Sequence, residues 1–144
     1  MAIVVDASLL VRLASGGEWA TEIDAKIAAW ATSGEELHAP DLLFYEVESG
    51  LRRMVFDGLL TEAGAISRLD DVAAIAITLH PHPRGGRLLR MAERQRTRAA
   101  YDAAYLVLAE ALPAELWTVD RRLANGGRSL GIRTSCVGDE SSGR

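Results

Sequence analysis

The chain opens on a short apolar run, Ala2-Ile3-Val4-Val5, that Asp6 brings to a stop. Comparable runs return at about residues 36–39, 75–79, 115–119 and 132–137, a length and composition that predict strands. Between them the period changes. Trp19, Ile23, Ile27 and Trp30 recur at steps of three and four, as do Leu43, Val47, Leu51 and Met54. Each set predicts a helix with one apolar face turned to the core. Pro40-Asp41 reads as the start of the second of these helices. A further helix follows Thr61-Glu62, and another covers about 101–111. Gly16-Gly17 closes a first short helix, while Gly126-Gly127 and Gly131 read as turns or loops. Strand alternating with helix predicts the α/β class, with a central, mostly parallel five-stranded sheet flanked by helices.

With 144 residues, 49% of them hydrophobic, the chain fits one domain, expected over 1–140. The Ser-Ser-Gly-Arg end at 141–144 is expected to be a flexible tail. No internal repeat divides the sequence. No basic leader precedes the first strand and no apolar stretch is long enough to span a bilayer, so a cytoplasmic protein is expected. Cys136, as the single cysteine, cannot form an internal disulfide, which fits a reducing compartment, and it is expected to be a small buried residue.

A net charge of −4 argues weakly against a nucleic-acid partner, but the cations are unevenly spread and fifteen of the sixteen are arginine. From Arg84 to Arg98 six arginines meet only Glu93. Arg84, Arg87, Arg90, Arg94 and Arg98 follow steps of three and four, which aligns them on one face of a helix running that far. Such a band is either a solvated surface or a set of phosphate contacts, because guanidinium pairs with phosphate oxygens through two parallel hydrogen bonds.

Four carboxylates occupy matching addresses. Asp6 ends the first strand, Asp120 ends Leu116-Trp117-Thr118-Val119, Glu46 lies early in one helix and Asp102 opens another. In a right-handed parallel α/β fold, strand ends and the starts of the following helices share one edge of the sheet. That edge is where open α/β sheets bind ligands. Neighbouring strands would bring Asp6 and Asp120 to roughly one strand spacing, ~4.8 Å. Converging carboxylates raise one another's pKa until a proton or cation relieves the repulsion. An all-oxygen set suits a hard divalent ion, Mg²⁺ or Mn²⁺. Ser8 and Thr118 stand two residues from Asp6 and Asp120 and are candidates to hydrogen-bond a carboxylate or a water beside it. Each acid also has a plainer role: Asp6 and Asp120 as helix N-caps, Asp102 at a helix dipole, Glu46 in solvent. His38, His80 and His82 are expected on the surface or in loops.

In their order and spacing, Ile3-Val4-Val5-Asp6-Ala7-Ser8, Ala39-Pro40-Asp41-Leu42-Leu43-Phe44-Tyr45-Glu46-Val47, Tyr101-Asp102-Ala103-Ala104-Tyr105-Leu106 and Leu116-Trp117-Thr118-Val119-Asp120 resemble the PIN-domain ribonucleases. The resemblance extends to the VapC-like toxins of VapBC toxin–antitoxin pairs and covers nearly the whole chain. It implies a three-layer sandwich in which Asp6, Glu46, Asp102 and Asp120 bind Mg²⁺ or Mn²⁺, with Thr118 as part of the site. It implies hydrolysis of single-stranded RNA by metal-activated water, leaving 5′-phosphate and 3′-hydroxyl ends. Asp6, Glu46 and Asp102 are then the primary ligands, and Asp120 serves a second ion or acts through water. It further implies a homodimer silenced by a cognate VapB-like antitoxin, in a heterotetramer or larger complex. Arg84, Arg87, Arg90, Arg94 and Arg98 become candidates for RNA contact or for an antitoxin's acidic tail. Ser49 stands where many members carry Asn three residues after the glutamate. Two unrelated classes fit less well: a Mg²⁺-dependent phosphatase of the haloacid-dehalogenase type needs an aspartate where Ser8 stands, and a non-enzymatic binding or phosphoacceptor receiver module needs a lysine after a late strand, whereas the only lysine is Lys26. A catalytically silent PIN adaptor remains the closest competing reading.

Overall fold

The apolar runs become five parallel strands, β1 (Ala2–Val5), β2 (Glu36–Pro40), β3 (Ile77–His80), β4 (Glu115–Thr118) and β5 (Thr134–Cys136), ordered β3-β2-β1-β4-β5. The structure, a computed structural model, describes residues 1–139. The expected tail at 141–144 lies outside the described residues. Among the described residues seven helices connect the strands: α1 (Ala7–Ser15), α2 (Ala20–Ser33), α3 (Leu43–Phe56), α4 (Glu62–Ala73), α5 (Arg87–Gln95), α6 (Tyr101–Ala111) and α7 (Arg121–Ser129).

Alternation along β1 explains the two cores, since neighbouring side chains on a strand point to opposite faces. Val4 joins Leu10, Leu43, Val47, Leu106 and Leu116 on one face. Ile3 and Val5 join Leu9, Ile23 and Trp117 on the other, under α2. The predicted stripe of α2 lies there: Ile23 is fully buried, and Trp30 meets Trp117 edge-on at 5.5 Å. Cys136 is buried in β5, as expected. Among the described residues no helix is long and apolar enough to cross a membrane.

Several local expectations are corrected. The third and fifth strands are shorter than 75–79 and 132–137, because Ile75 and Ile132 give their N–H groups to Val72 at the end of α4 and Gly127 in α7. Pro40 and Asp41 do not start a helix. Pro40 is the last residue of β2 and the Asp41 N–H extends the ladder to the His80 carbonyl, so α3 begins at Leu43. Gly126 and Gly127 lie inside α7 rather than in a turn; a Cβ on Gly127 would collide with the Thr134 hydroxyl and come within 3.1 Å of Leu106. Gly50 in α3 plays the same part, where a Cβ would fall 2.7 Å from Val11 of α1. His38 is buried in β2, with Nδ1 2.8 Å from Nε2 of His80 at the end of β3, so neither of the two is a loop residue.

The arginine band is corrected too. Its middle forms α5, with Met91 and Ala92 buried and Leu88 packed behind them. Arg84 precedes the helix and Arg98 follows it, so the five do not share one helical face. Arg94 pairs with Glu110 at 3.3 Å, and Arg90 donates to the Gly85 carbonyl.

Candidate active site

Asp6 stands where β1 gives way to α1, and Asp120 where β4 gives way to α7. Both cap the helix they precede: Asp6 Oδ1 accepts from the Leu9 N–H at 3.1 Å, and Asp120 Oδ1 accepts from the N–H groups of Arg122 at 2.8 Å and Leu123 at 3.3 Å. The plainer capping role is therefore real, and it fixes where each carboxylate points. Glu46 lies in the first turn of α3 and Asp102 in that of α6. All four line one cleft of about 480 Å³. It opens beside the β1–β4 pair, where the strand order reverses and the crossovers diverge to opposite sides of the sheet.

Asp6 is the most enclosed of the four. It is 5% exposed, and Ser8 Oγ donates to it at 2.8 Å and Thr118 Oγ1 at 2.8 Å. The register explains this, since Val5 pairs with Trp117 and the next residues, Asp6 and Thr118, meet beyond the last rung. Burial pushes the Asp6 carboxyl up to about 7 against these hydroxyls and the Leu9 N–H, and the charge of Asp120 adds to the rise. Glu46 is also raised, first by burial; the Tyr105 hydroxyl, donating to Oε1 at 2.7 Å, and Arg53 oppose the shift, while Asp102 adds to it. Asp102 is raised by desolvation and by Asp120, with Arg122 acting the other way. Burial and the neighbouring carboxylates of Glu46 and Asp6 push the Tyr105 phenol upward, so it stays protonated as a donor.

These couplings tie the acids into one electrostatic unit. Among the described residues no group of three or more His, Cys, Asp or Glu side chains stands close enough together, as placed, to hold a metal ion. The acids line an open cleft instead. An all-oxygen, anionic cleft fits a hard ion that keeps several of its waters, as Mg²⁺ does, better than one requiring a closed protein shell.

Residues 3–128 match the PIN domain family. This chain belongs to the PIN-domain family. A VapC ribonuclease of Mycobacterium bovis is 36% identical over 128 residues, covering 88% of this chain and 92% of the relative. Ribonuclease VapC3 of Pyrobaculum aerophilum is 31% identical over 126 residues, covering 86% and 93%. The crystal structure of PAE2754 from Pyrobaculum aerophilum superposes with a TM-score of 0.71 at 27% identity, covering 93% of this chain and 83% of that one. The predicted α/β class and the family resemblance are both borne out.

Within this PIN domain the four acids named from sequence share the cleft. Thr118, expected as part of the site, is fully buried and does not line the cleft; it reaches it only through its hydrogen bond to Asp6. Ser49 is exposed on α3, and Tyr105 supplies the hydrogen bond to Glu46. Tyr105 had a legible signal, standing three residues after Asp102 on the same helical face. Arg12 and Arg53 also line the cleft, whereas Arg84, Arg87, Arg90, Arg94 and Arg98 do not. No local pattern singles out Arg12 and Arg53, because their helices meet only in the fold.

Proposed function

We propose that this chain is a Mg²⁺- or Mn²⁺-dependent endoribonuclease that cuts single-stranded RNA as the toxin of a type II toxin–antitoxin pair. The observation that carries the reading is the gathering of Asp6, Glu46, Asp102 and Asp120 into one cleft, in a chain whose relatives are VapC ribonucleases. Asp6, Glu46 and Asp102 would hold the ion, and Asp120 would serve a second ion or an intervening water. Bound there, the ion supplies Lewis-acid chemistry, lowering the pKa of a water and neutralising phosphate charge.

The protein's own groups prepare that chemistry. Ser8 and Thr118 aim the Asp6 carboxylate, Tyr105 aims Glu46, and the caps of α1 and α7 hold Asp6 and Asp120 at the strand ends. Rigid ligands spare reorganisation when the substrate arrives. Hydrolysis of the P–O3′ bond leaves 5′-phosphate and 3′-hydroxyl ends. The protein would act in the cytoplasm as a homodimer, inhibited by a cognate VapB-like antitoxin in a heterotetramer or larger complex. The arginines at 84, 87, 90, 94 and 98 would contact RNA backbone outside the cleft or the antitoxin. Residues 1–140 would form the single PIN domain.

The test is cleavage of an end-labelled single-stranded RNA with Mg²⁺, with chelator, and by folded Asp102→Asn protein. Ion-dependent cutting that disappears in the variant supports the proposal. RNA binding without cutting, under every divalent ion tried, would instead indicate a silent adaptor.

A further inference from the structure

Two cations share the acidic cleft, Arg12 from α1 and Arg53 from α3. Helical spacing places them there. Arg12 follows Ser8 by four residues and Arg53 follows Glu46 by seven, so each lies on the face of its helix that already carries a site residue. Seven residues correspond to about 10 Å along α3. The two helices approach closely where Gly50 leaves room for Val11, which brings the arginines to one wall.

Neither arginine is taken up by an ion pair among the described residues. Arg53 acts on Glu46 only through the field, lowering its pKa. Arg12 is braced rather than neutralised. Its guanidinium carbon lies over the Trp19 ring, 5.3 Å from the centroid, a cation–π contact that leaves the positive charge available to an anion. Trp19 itself sits at φ +66°, in the left-handed region, with Gly138 so near that an added Cβ would fall 2.7 Å from its ring. A non-glycine residue in that region is strained and requires packing to hold it.

The cleft therefore carries both acids and guanidinium groups, and the helical spacing sets Arg12 and Arg53 further along α1 and α3 than Ser8 and Glu46. Resting on the ribonuclease reading, we infer that Arg12 and Arg53 form a phosphate clamp gripping the RNA backbone to one side of the cut, fixing the direction in which the strand enters. The acids alone would repel a polyanion. The clamp supplies attraction that does not depend on the ion.

The experiment pairs binding with kinetics. Affinity for a fluorescent single-stranded RNA is measured against salt in an Asp102→Asn background, with Arg12→Ala, Arg53→Ala and their combination. The same changes are placed in active protein for KM and kcat, and circular dichroism verifies folding. Arg52→Ala, a change of equal charge on a residue outside the cleft lining, is the control. The expected result is a several-fold rise in KM with kcat nearly unchanged, and a salt slope smaller by about 0.7 for each arginine removed. Arg12→Lys should keep part of the affinity. An unchanged slope and KM in a protein that still cleaves RNA would overturn the clamp alone, as would an equal loss in Arg52→Ala. A wild-type protein that neither binds nor cuts RNA would overturn the ribonuclease reading and the clamp with it.

Discussion

Replacing Asp6 by Asn should stabilise the ion-free protein near pH 8 while abolishing cleavage. Burial raises the Asp6 carboxyl from 3.8 to about 7, so the ionised form is disfavoured in the folded state. A shift of that size corresponds to roughly 4 kcal/mol at pH values above both pKa values. The sign follows from the raised folded pKa: this group's stabilising contribution is complete below about 3.8 and is lost as pH rises through about 7. Asparagine retains an acceptor for the Leu9 N–H and caps helices as well as aspartate does, so α1 stays tied. Burial of the amide takes back part of the gain. Thermal unfolding at pH 5 and pH 8 without divalent ions should therefore show the variant ahead at pH 8, by about 2–4 °C for each kcal/mol, with the gap closing toward pH 5. Adding Mg²⁺ at pH 8 should raise the wild-type midpoint and move the variant much less. A variant less stable than wild type at pH 8, or a gap independent of pH, would refute the reasoning.

Other changes probe the supports. Thr118→Val removes a donor that favours ionised Asp6, so the rise of cleavage rate with pH should move up by about one unit, a loss of roughly 1.4 kcal/mol; an unmoved profile would deny Thr118 its positioning role. Tyr105→Phe deletes the 2.7 Å hydrogen bond to Glu46 and should raise the Mg²⁺ concentration for half-maximal cleavage by about 10–100-fold, read from an ion titration. Gly127→Ala should cost about 1–3 kcal/mol in urea unfolding because of Thr134 and Leu106, whereas Gly126→Ala, with its nearest neighbour the Gln95 side chain at 3.6 Å, should be neutral or stabilising.

The acids were legible because each sits at a change of local pattern. Asp6 ends an apolar run and Asp120 follows another, and parallel topology converts those positions into neighbours. What stayed hidden depends on contacts between elements distant in sequence. The arginine period continues to Arg98, yet α5 stops when Arg96 turns into the left-handed region at φ +56°. Arginine at three- and four-residue steps does not encode that stop. His38 reads as polar and is buried, because His80 of the adjacent strand takes its ring nitrogen. Gly127 reads as a breaker, and only the proximity of β5 turns it into a packing requirement. Arg12 and Arg53 are ordinary helix arginines until α1 and α3 meet.

That Asp6 and Asp120 both anchor helices has a genetic corollary. If the protein is toxic to its host, survivors selected for losing that toxicity without losing the protein should carry lesions unevenly. At the two cap positions most replacements also untie a helix, leaving asparagine as the mildest escape. At Glu46 and Asp102, which cap nothing, a broad spectrum of substitutions should accumulate at normal abundance.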